Sequence, residues 1–368
     1  MKFHNLLFRH LVILLCALSL GSLLSLNAGA QSQVPPLTSE EFVRLLRQLP
    51  TRSSLRDDLV NEIRRRGINF PLTSGMRSLV ATKSGNDALL RRTLEEAERR
   101  RVNPTASVLP SEVEAQTLLA QARVATLAAG EAMPDFVVKQ QIVRAIARGT
   151  TQNWRVGDRL TIAVSFRAGS GEQYRVLAVN GLPTVAADAA QESSDYSKLG
   201  GASSTGEYVT RLARLFADES QTKFQSVDTD TLRGRRAIVY EFEIKQENSR
   251  ATIVYNNERS IVVGNRGRVW IDRETSRVLR MEAIATEIAP DFPVTASSNT
   301  IDYDWVSISE RQYLLPIRAV LEMTATQSAQ TFQTRNDIRF RNYQKYGSEV
   351  KVIEEDIIDD EEKPEKKP

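Results

Sequence analysis

Between Arg159 and Tyr343 the chain contains successive runs that alternate apolar and polar residues with a period of two, and no other feature constrains the fold as strongly. Leu160, Ile162, Val164 and Phe166 alternate with Arg159, Thr161, Ala163 and Ser165, and Ile238, Tyr240, Phe242 and Ile244 with Val239, Glu241, Glu243 and Lys245. Successive side chains on a strand point to opposite faces, so these runs read as half-buried strands. Further strands are predicted at Ala251 to Tyr255, Ser260 to Val263, Arg268 to Asp272, Val278 to Glu287, Thr300 to Ile308, Ile317 to Thr326 and Thr331 to Tyr343. The gaps between them are too short for crossover helices, so the pairing is expected to be antiparallel. In the last strand Phe332, Ile338 and Phe340 would face a core, while Arg335, Asp337, Arg339 and Arg341 face water.

A sheet of about nine or ten strands has an apolar face and free edges that must be curled or covered. Two amphipathic helices are available for this. Ser111 caps one that runs to about Ala129 and carries Val113, Leu118, Leu119, Ala122, Val124, Leu127 and Ala128; Tyr208, Val209, Leu212, Leu215 and Phe216 mark the other. The expected class is therefore α+β, a large curved antiparallel sheet, or half-open barrel, covering two helices over residues 111–347 and leaving a cavity between them.

A separate all-α module is predicted at 38–101. Thr38 and Glu41 fit a capping box ahead of Phe42, Leu45, Leu46 and Leu49. Ser53 or Ser54 can cap a second helix with Leu55, Leu59, Val60 and Ile63, ending in Arg64-Arg65-Arg66 and Gly67. Thr73 opens a third helix, and Asn86 or Asp87 a fourth that ends in Arg99-Arg100-Arg101. Residues 39–101 hold 14 basic and 9 acidic side chains. The arginine runs fit helix C-termini, where cations complement the dipole, or a contact with an acidic partner or an anionic membrane surface.

Residues 1–30 have the pattern of an export signal: Lys2 and Arg9, an apolar run from Leu11 to Leu26, and the small-residue site Ala28-Gly29-Ala30. Cleavage after Ala30 removes His4, His10 and Cys16, which are every histidine and cysteine of the chain. Removing Lys2 and Arg9 from 49 basic residues leaves 47 against 46 acidic ones, so a mature chain would be almost neutral. Residues 31–37 and 102–110 read as linkers. Residues 348–368 read as an acidic disordered tail, with eight acidic residues and three lysines from Glu354 to Pro368.

Without imidazole or thiol, nucleophilic triads and zinc or haem sites of the usual ligand types are excluded; no cofactor, metal or nucleic acid is expected. Carboxylate chemistry remains open through Asp302 and Asp304, which share a strand face. The stretch Gly200 to Gly206 superficially suggests a phosphate loop but lacks its lysine, and reads as a flexible loop with a helix N-cap. Tyr174, Tyr240, Phe242, Trp270, Tyr303 and Trp305 sit in or beside strands and are candidates to line an apolar ligand cavity, against the alternative of core packing.

The segment from Gly267 to Met281 (Val269-Trp270-Ile271-Asp272, then Glu274-Thr275) resembles a hairpin of the periplasmic outer-membrane lipoprotein carrier superfamily. In this hairpin Asp272 and Thr275 can bond the turn while Val269, Ile271, Leu279 and Met281 pack inward. The chain is also similar to uncharacterised exported proteins of acidobacterial type, through Met133-Pro134-Asp135-Phe136, Gly206-Glu207-Tyr208, Leu314-Leu315-Pro316 and the helical module. The carrier resemblance implies an unclosed barrel sheltering acyl chains, and partners among lipids or lipoproteins, in the periplasm of a Gram-negative bacterium. The leading expectation is an exported, non-catalytic binder of lipid, acyl chains or another apolar ligand. A structural or adaptor protein with a filled core, acting through its helical module, is the alternative, and a carboxylate-dependent hydrolase the third.

Overall fold

The computed structural model describes residues 34–347, apart from 53–54, 86, 105–107, 169, 185–207, 209 and 257. The export signal, Ser53 and Ser54, Asn86, the Gly200 to Gly206 stretch and the acidic tail lie outside the described residues. The chain divides into two compact units, Met1–Ser107 and Val108–Pro368.

In the first unit, α1 (Ser39–Leu46), α2 (Leu55–Arg66), α3 (Ser74–Lys83) and α4 (Ala88–Val102) surround a core that includes Phe42, Leu46, Ile63, Val80, Leu90 and Leu94. The predicted capping box forms: Thr38 Oγ1 accepts from Glu41 N at 3.1 Å, and Glu41 reaches back to Thr38 N. Thr73 and Asp87 cap α3 and α4 through Met76 N and Leu90 N. The arginine runs are drawn into local ion pairs, Arg65 with Glu62 at 2.6 Å, Arg66 with Glu41 at 2.9 Å and Arg101 with Glu98 at 2.8 Å. The Arg66 guanidinium holds the Glu41 carboxyl below its ordinary range.

The second unit opens with α5 (Glu112–Glu131), capped by Ser111, and continues into β1 (Phe136–Arg148), β2 (Arg155–Arg167), β3 (Gly171–Val179), β4 (Leu182–Pro183) and α6 (Thr210–Phe216). Then come β5 (Lys223–Leu232), β6 (Arg235–Ile244), β7 (Ala251–Tyr255), β8 (Arg259–Asp272), β9 (Val278–Thr286), β10 (Val294–Ile308), β11 (Arg311–Gln327) and β12 (Gln330–Lys345). Among the described residues the sheet has twelve strands, all antiparallel, in the order β4-β3-β2-β1-β12-β11-β10-β9-β8-β6-β5, with β7 paired to the start of β8. Its end strands β4 and β5 do not meet, so the sheet is not closed.

Strands β1, β3, β4 and β5 are not among those the sequence pattern predicts; in β1, Lys139, Gln140 and Gln141 interrupt the alternation. Gln140 nevertheless faces the core, 1% exposed, and its Nε2 donates to the Tyr208 hydroxyl at 3.0 Å. Pairing of β1 with β12 and β2 joins the first strands to the last.

One face of the sheet is covered by the helices. Leu118 and Ala122 of α5 and Leu212, Leu215 and Phe216 of α6 share a core with inward residues of β1, β2, β3, β6, β8, β9, β10, β11 and β12. The register aligns a lateral row through eight strands: Tyr240, Val269, Met281, Ile301, Ala319, Ile338, Ile142 and Leu160, all buried. The sheet also curls. Val263 at the start of β8 and Ile253 of β7 share a second core with Val294, Ala325 and Phe332 of β10, β11 and β12.

The β8–β9 hairpin forms as its residues suggest, with Asp272 Oδ1 accepting from Glu274 N at 2.9 Å. Leu279, however, does not pack with Val269, Ile271 and Met281. A bulge opposite Trp270 and Ile271 turns Val278 inward and Leu279 outward, where it joins Trp270, Val227, Ala237 and Val239 in a small cluster. At Gly267 a Cβ would come within 2.8 Å of Phe242 Cζ and collide with the Glu282 backbone, so glycine lets the Phe242 ring and β9 close over β8.

Phe136 lies among the rings of Phe166, Tyr208 and Tyr343 at centroid distances of 5.3, 5.4 and 5.6 Å. Replacing it by alanine is expected to destabilise the second unit by about 3–5 kcal/mol, the usual cost of emptying a buried aromatic site, measured as a lower urea midpoint by tryptophan fluorescence.

Candidate functional site

The six aromatic residues expected to line a cavity divide into three groups. Tyr240, Phe242 and Tyr303 are buried in the core beneath the helices, with Tyr174 half-buried against it. The Tyr240 hydroxyl donates to Ala115 O of α5 at 2.7 Å, and burial, with the nearby Glu114 charge, pushes its pKa up. Trp270 lies on the opposite face, its Nε1 donating to Asp230 at 2.9 Å, and half-buried Trp305 sits beneath Arg277 with 5.8 Å from Cζ to ring centroid. The three buried residues pack in one core with the stacked rings of Phe216 and Phe224.

Asp302 and Asp304 do come together, on a guanidinium. Arg233 reaches Asp302 at 3.4 Å and Asp304 at 3.2 Å while donating to Tyr303 O at 2.6 Å. Arg280 bonds Asp302 from the other side at 2.7 Å. With their oxygens engaged by guanidinium N–H groups, the two carboxylates act as anchors tying the β5–β6 turn to β9 and β10. A shallow depression of about 300 Å³ beside Asp302 is likewise lined by arginines that have acidic partners: Arg318 with Asp337 at 2.5 Å and Arg335 with Glu322 at 3.4 Å.

The inner sheet face holds a more distinctive arrangement one step from the apolar row. There the register aligns Ala283, Asn299, Leu321, Asn336, Arg144 and Asp158 across β9, β10, β11, β12, β1 and β2. A step further come Ser297, Met323, Thr334 and Ile146. This strip lies between the residues under α5 and α6 and the second core, in which Val294, Ala325 and Phe332 take part. Asn299 Oδ1 and Thr334 Oγ1 are shielded from solvent yet have no hydrogen-bond partner among the described residues. Ile146 is 48% exposed, and Met323 is half-buried. Apolar surface beside buried, unused polar atoms is what a binding surface offers, since leaving such an atom unpaired costs about 1–3 kcal/mol.

Arg144 and Asp158 close one end of the strip, Nε to Oδ1 at 2.6 Å, with a second bond between Nη2 and Oδ2. The sequence signal of this strip is a negative one. Asn299, Thr334 and Asn336 are polar residues falling on the inward phase of strands whose neighbouring inward residues are Ile301, Ile338 and Phe340.

No protein-family model matches the chain, and no characterised protein matches it. Three solved structures show a likeness. A DUF1329 family protein from Desulfovibrio piger is 10% identical, with a TM-score of 0.27, covering 65% of this chain and 96% of its own. The complex structure of Pseudomonas aeruginosa MucA/MucB gives 11% identity and a TM-score of 0.18, covering 60% of this chain and 94% of the matched one. The structure of MucB in complex with MucA(peri) gives 10% and 0.17, with 60% and 98% covered. These likenesses place the chain in no family.

The Arg144 guanidinium, through its hydrogen bonds and then its charge, holds the Asp158 carboxyl below its ordinary pKa. A folded-state pKa below the unfolded value of about 3.9 stabilises the protein above that pH, and the contribution fades as pH falls through the folded value. Asp158→Asn is therefore expected to cost about 1–3 kcal/mol at neutral pH. In urea titrations at stepped pH, the gap to the native protein should shrink below about pH 4.

Proposed function

We propose that this is a non-catalytic binding protein of the cell envelope, which holds an elongated, partly apolar ligand such as a lipid or acyl chain along the inner strip. One observation carries the reading. The sheet face beneath the helices is filled by the protein's own aromatic side chains, whereas the next rows combine exposed Ile146 and half-buried Met323 with the unpartnered acceptors Asn299 Oδ1 and Thr334 Oγ1. Apolar chain would lie against the aliphatic side chains, and hydroxyl or amide donors would meet the two oxygens.

The periplasm suits such a protein, given the export pattern of residues 1–30 and a set of described residues in which no helix is long and apolar enough to cross a membrane. The catalytic alternative through Asp302 and Asp304 has less support, because both carboxylates are engaged by Arg233. An adaptor role is the second reading. It is favoured by the same filled core and by a helical unit with a hydrophobic core of its own.

Delipidated protein lacking residues 1–30 is expected to bind a fluorescent fatty acid or lysophospholipid, and Ile146→Glu with Met323→Glu to weaken that binding tenfold or more, a change of about 1.4 kcal/mol. Binding that is absent, or indifferent to both substitutions, would remove the ligand reading and leave the adaptor.

A further inference from the structure

On the outer face of β1, β2, β11 and β12, cations stand opposite one another across the ladder. Arg318 of β11 stands directly across from Arg339 of β12, and Lys139 of β1 directly across from Arg341. Like charges in directly opposed positions destabilise a sheet. Arg318 is compensated by Asp337, but Arg339 and Arg341 are exposed and have no carboxylate partner among the described residues. Arg159 of β2 is also exposed without one, two strands from β12 and one pair along, because Arg159 aligns with Val143 and Val143 with Asp337. At a strand spacing of about 4.8 Å and a rise of about 3.4 Å per residue, the Arg339 stem rises roughly 7 Å from that of Arg341 and roughly 12 Å from that of Arg159, with Arg341 and Arg159 about 17 Å apart. Asp337 is the acidic side chain among them, and Arg318 already engages it.

The complementary charge is in the same chain. The described residues end at Gly347, two positions after β12, and seven acidic residues follow between Glu354 and Glu362. Lys345, the last residue of β12, lies about 20 Å along the strand from Arg339 at a rise of about 3.4 Å per residue. The nine residues from Lys345 to Glu354 can span about 30 Å when extended. The acidic run can therefore reach back to Arg339 and Arg341 with length to spare, and its tether keeps its local concentration high.

We propose that the acidic segment from Glu354 to Glu365 folds back onto the outer face of β12, β1 and β2 and is held there by Arg339, Arg341 and Arg159. The contact is of polyelectrolyte type, with several carboxylates sharing a few guanidinium groups, and it needs no defined secondary structure in the segment. It offsets the like-charge repulsion across β11, β12 and β1. It also screens a basic surface that would otherwise attract other polyanions, anionic lipid among them.

Removal of residues 1–30 takes away Cys16, so Glu361→Cys places a single thiol in residues 31–368 for a nitroxide label. At about 0.01 M salt the label is expected to broaden the amide NMR signals of Arg339, Arg341 and Arg159 more than those of β5 and β6. The broadening should be lost at about 1 M salt, where the Debye length falls to ~3 Å. Arg339→Glu with Arg341→Glu should abolish it; if that variant misfolds, the salt titration on the unsubstituted arginines decides. Uniform or absent broadening at low salt would overturn the proposal, as would broadening indifferent to both salt and charge reversal. Vesicles of phosphatidylglycerol give the remaining arm. Capture of the protein through Arg339 and Arg341, with the label never near the patch, would assign the surface to a membrane instead.

Discussion

The fold depends on burying one lateral row of the sheet. Tyr240, Val269, Met281, Ile301, Ala319, Ile338, Ile142 and Leu160 come from eight strands and from opposite ends of the second unit, yet register sets them side by side. Each large apolar side chain taken out of water contributes about 1.5–3 kcal/mol, so the row must be covered. The helices α5 and α6 supply that cover. Only the Tyr240 hydroxyl carries polarity into the row, and it is satisfied by the Ala115 carbonyl of α5, so covering helix and covered sheet are joined where desolvation is most complete.

Because the cover is well packed, the polar inward positions fall at its margin. The rings of Phe136, Phe166, Tyr208 and Tyr343 close one side and those of Phe216 and Phe224 the other. Beyond them the inward positions become Asn299, Asn336, Thr334 and the Arg144–Asp158 pair, before the satellite core of Val294, Ala325 and Phe332 begins. Two oxygens there are desolvated without reward. That is a cost which the sheet itself does nothing to recover and which a ligand carrying donors would. The outer face shows a comparable imbalance in charge rather than hydrogen bonding, where Arg339 and Arg341 oppose cations across the ladder.

Much of the architecture could be read before any coordinates. The inward residues of β2 and β6 follow the alternation throughout, and Thr38, Thr73, Asp87 and Ser111 cap the helices they precede. The failures have local causes. Strand β1 was hidden by Gln140, whose Nε2 donates to the Tyr208 hydroxyl, distant in sequence, while its Oε1 has no partner among the described residues. Leu279 changed sides because one bulge puts it on the same face as Arg280, and no propensity marks where a bulge will fall. Aromatic character and nearness to a strand do not distinguish Tyr240, in the core, from Trp270, on the far face.

Period and capping, which are local, were settled by the sequence alone: an antiparallel sheet with two amphipathic helices, a helical module ahead of it, and a chain that has no imidazole or thiol once residues 1–30 are gone. What depends on register belongs to the tertiary structure. Whether Asp302 and Asp304 face a substrate or an arginine, and which polar residues align between two cores, follows from how strands distant in sequence slide against one another. A shift of one residue reverses every side chain, and that choice is made by the packing of the whole sheet.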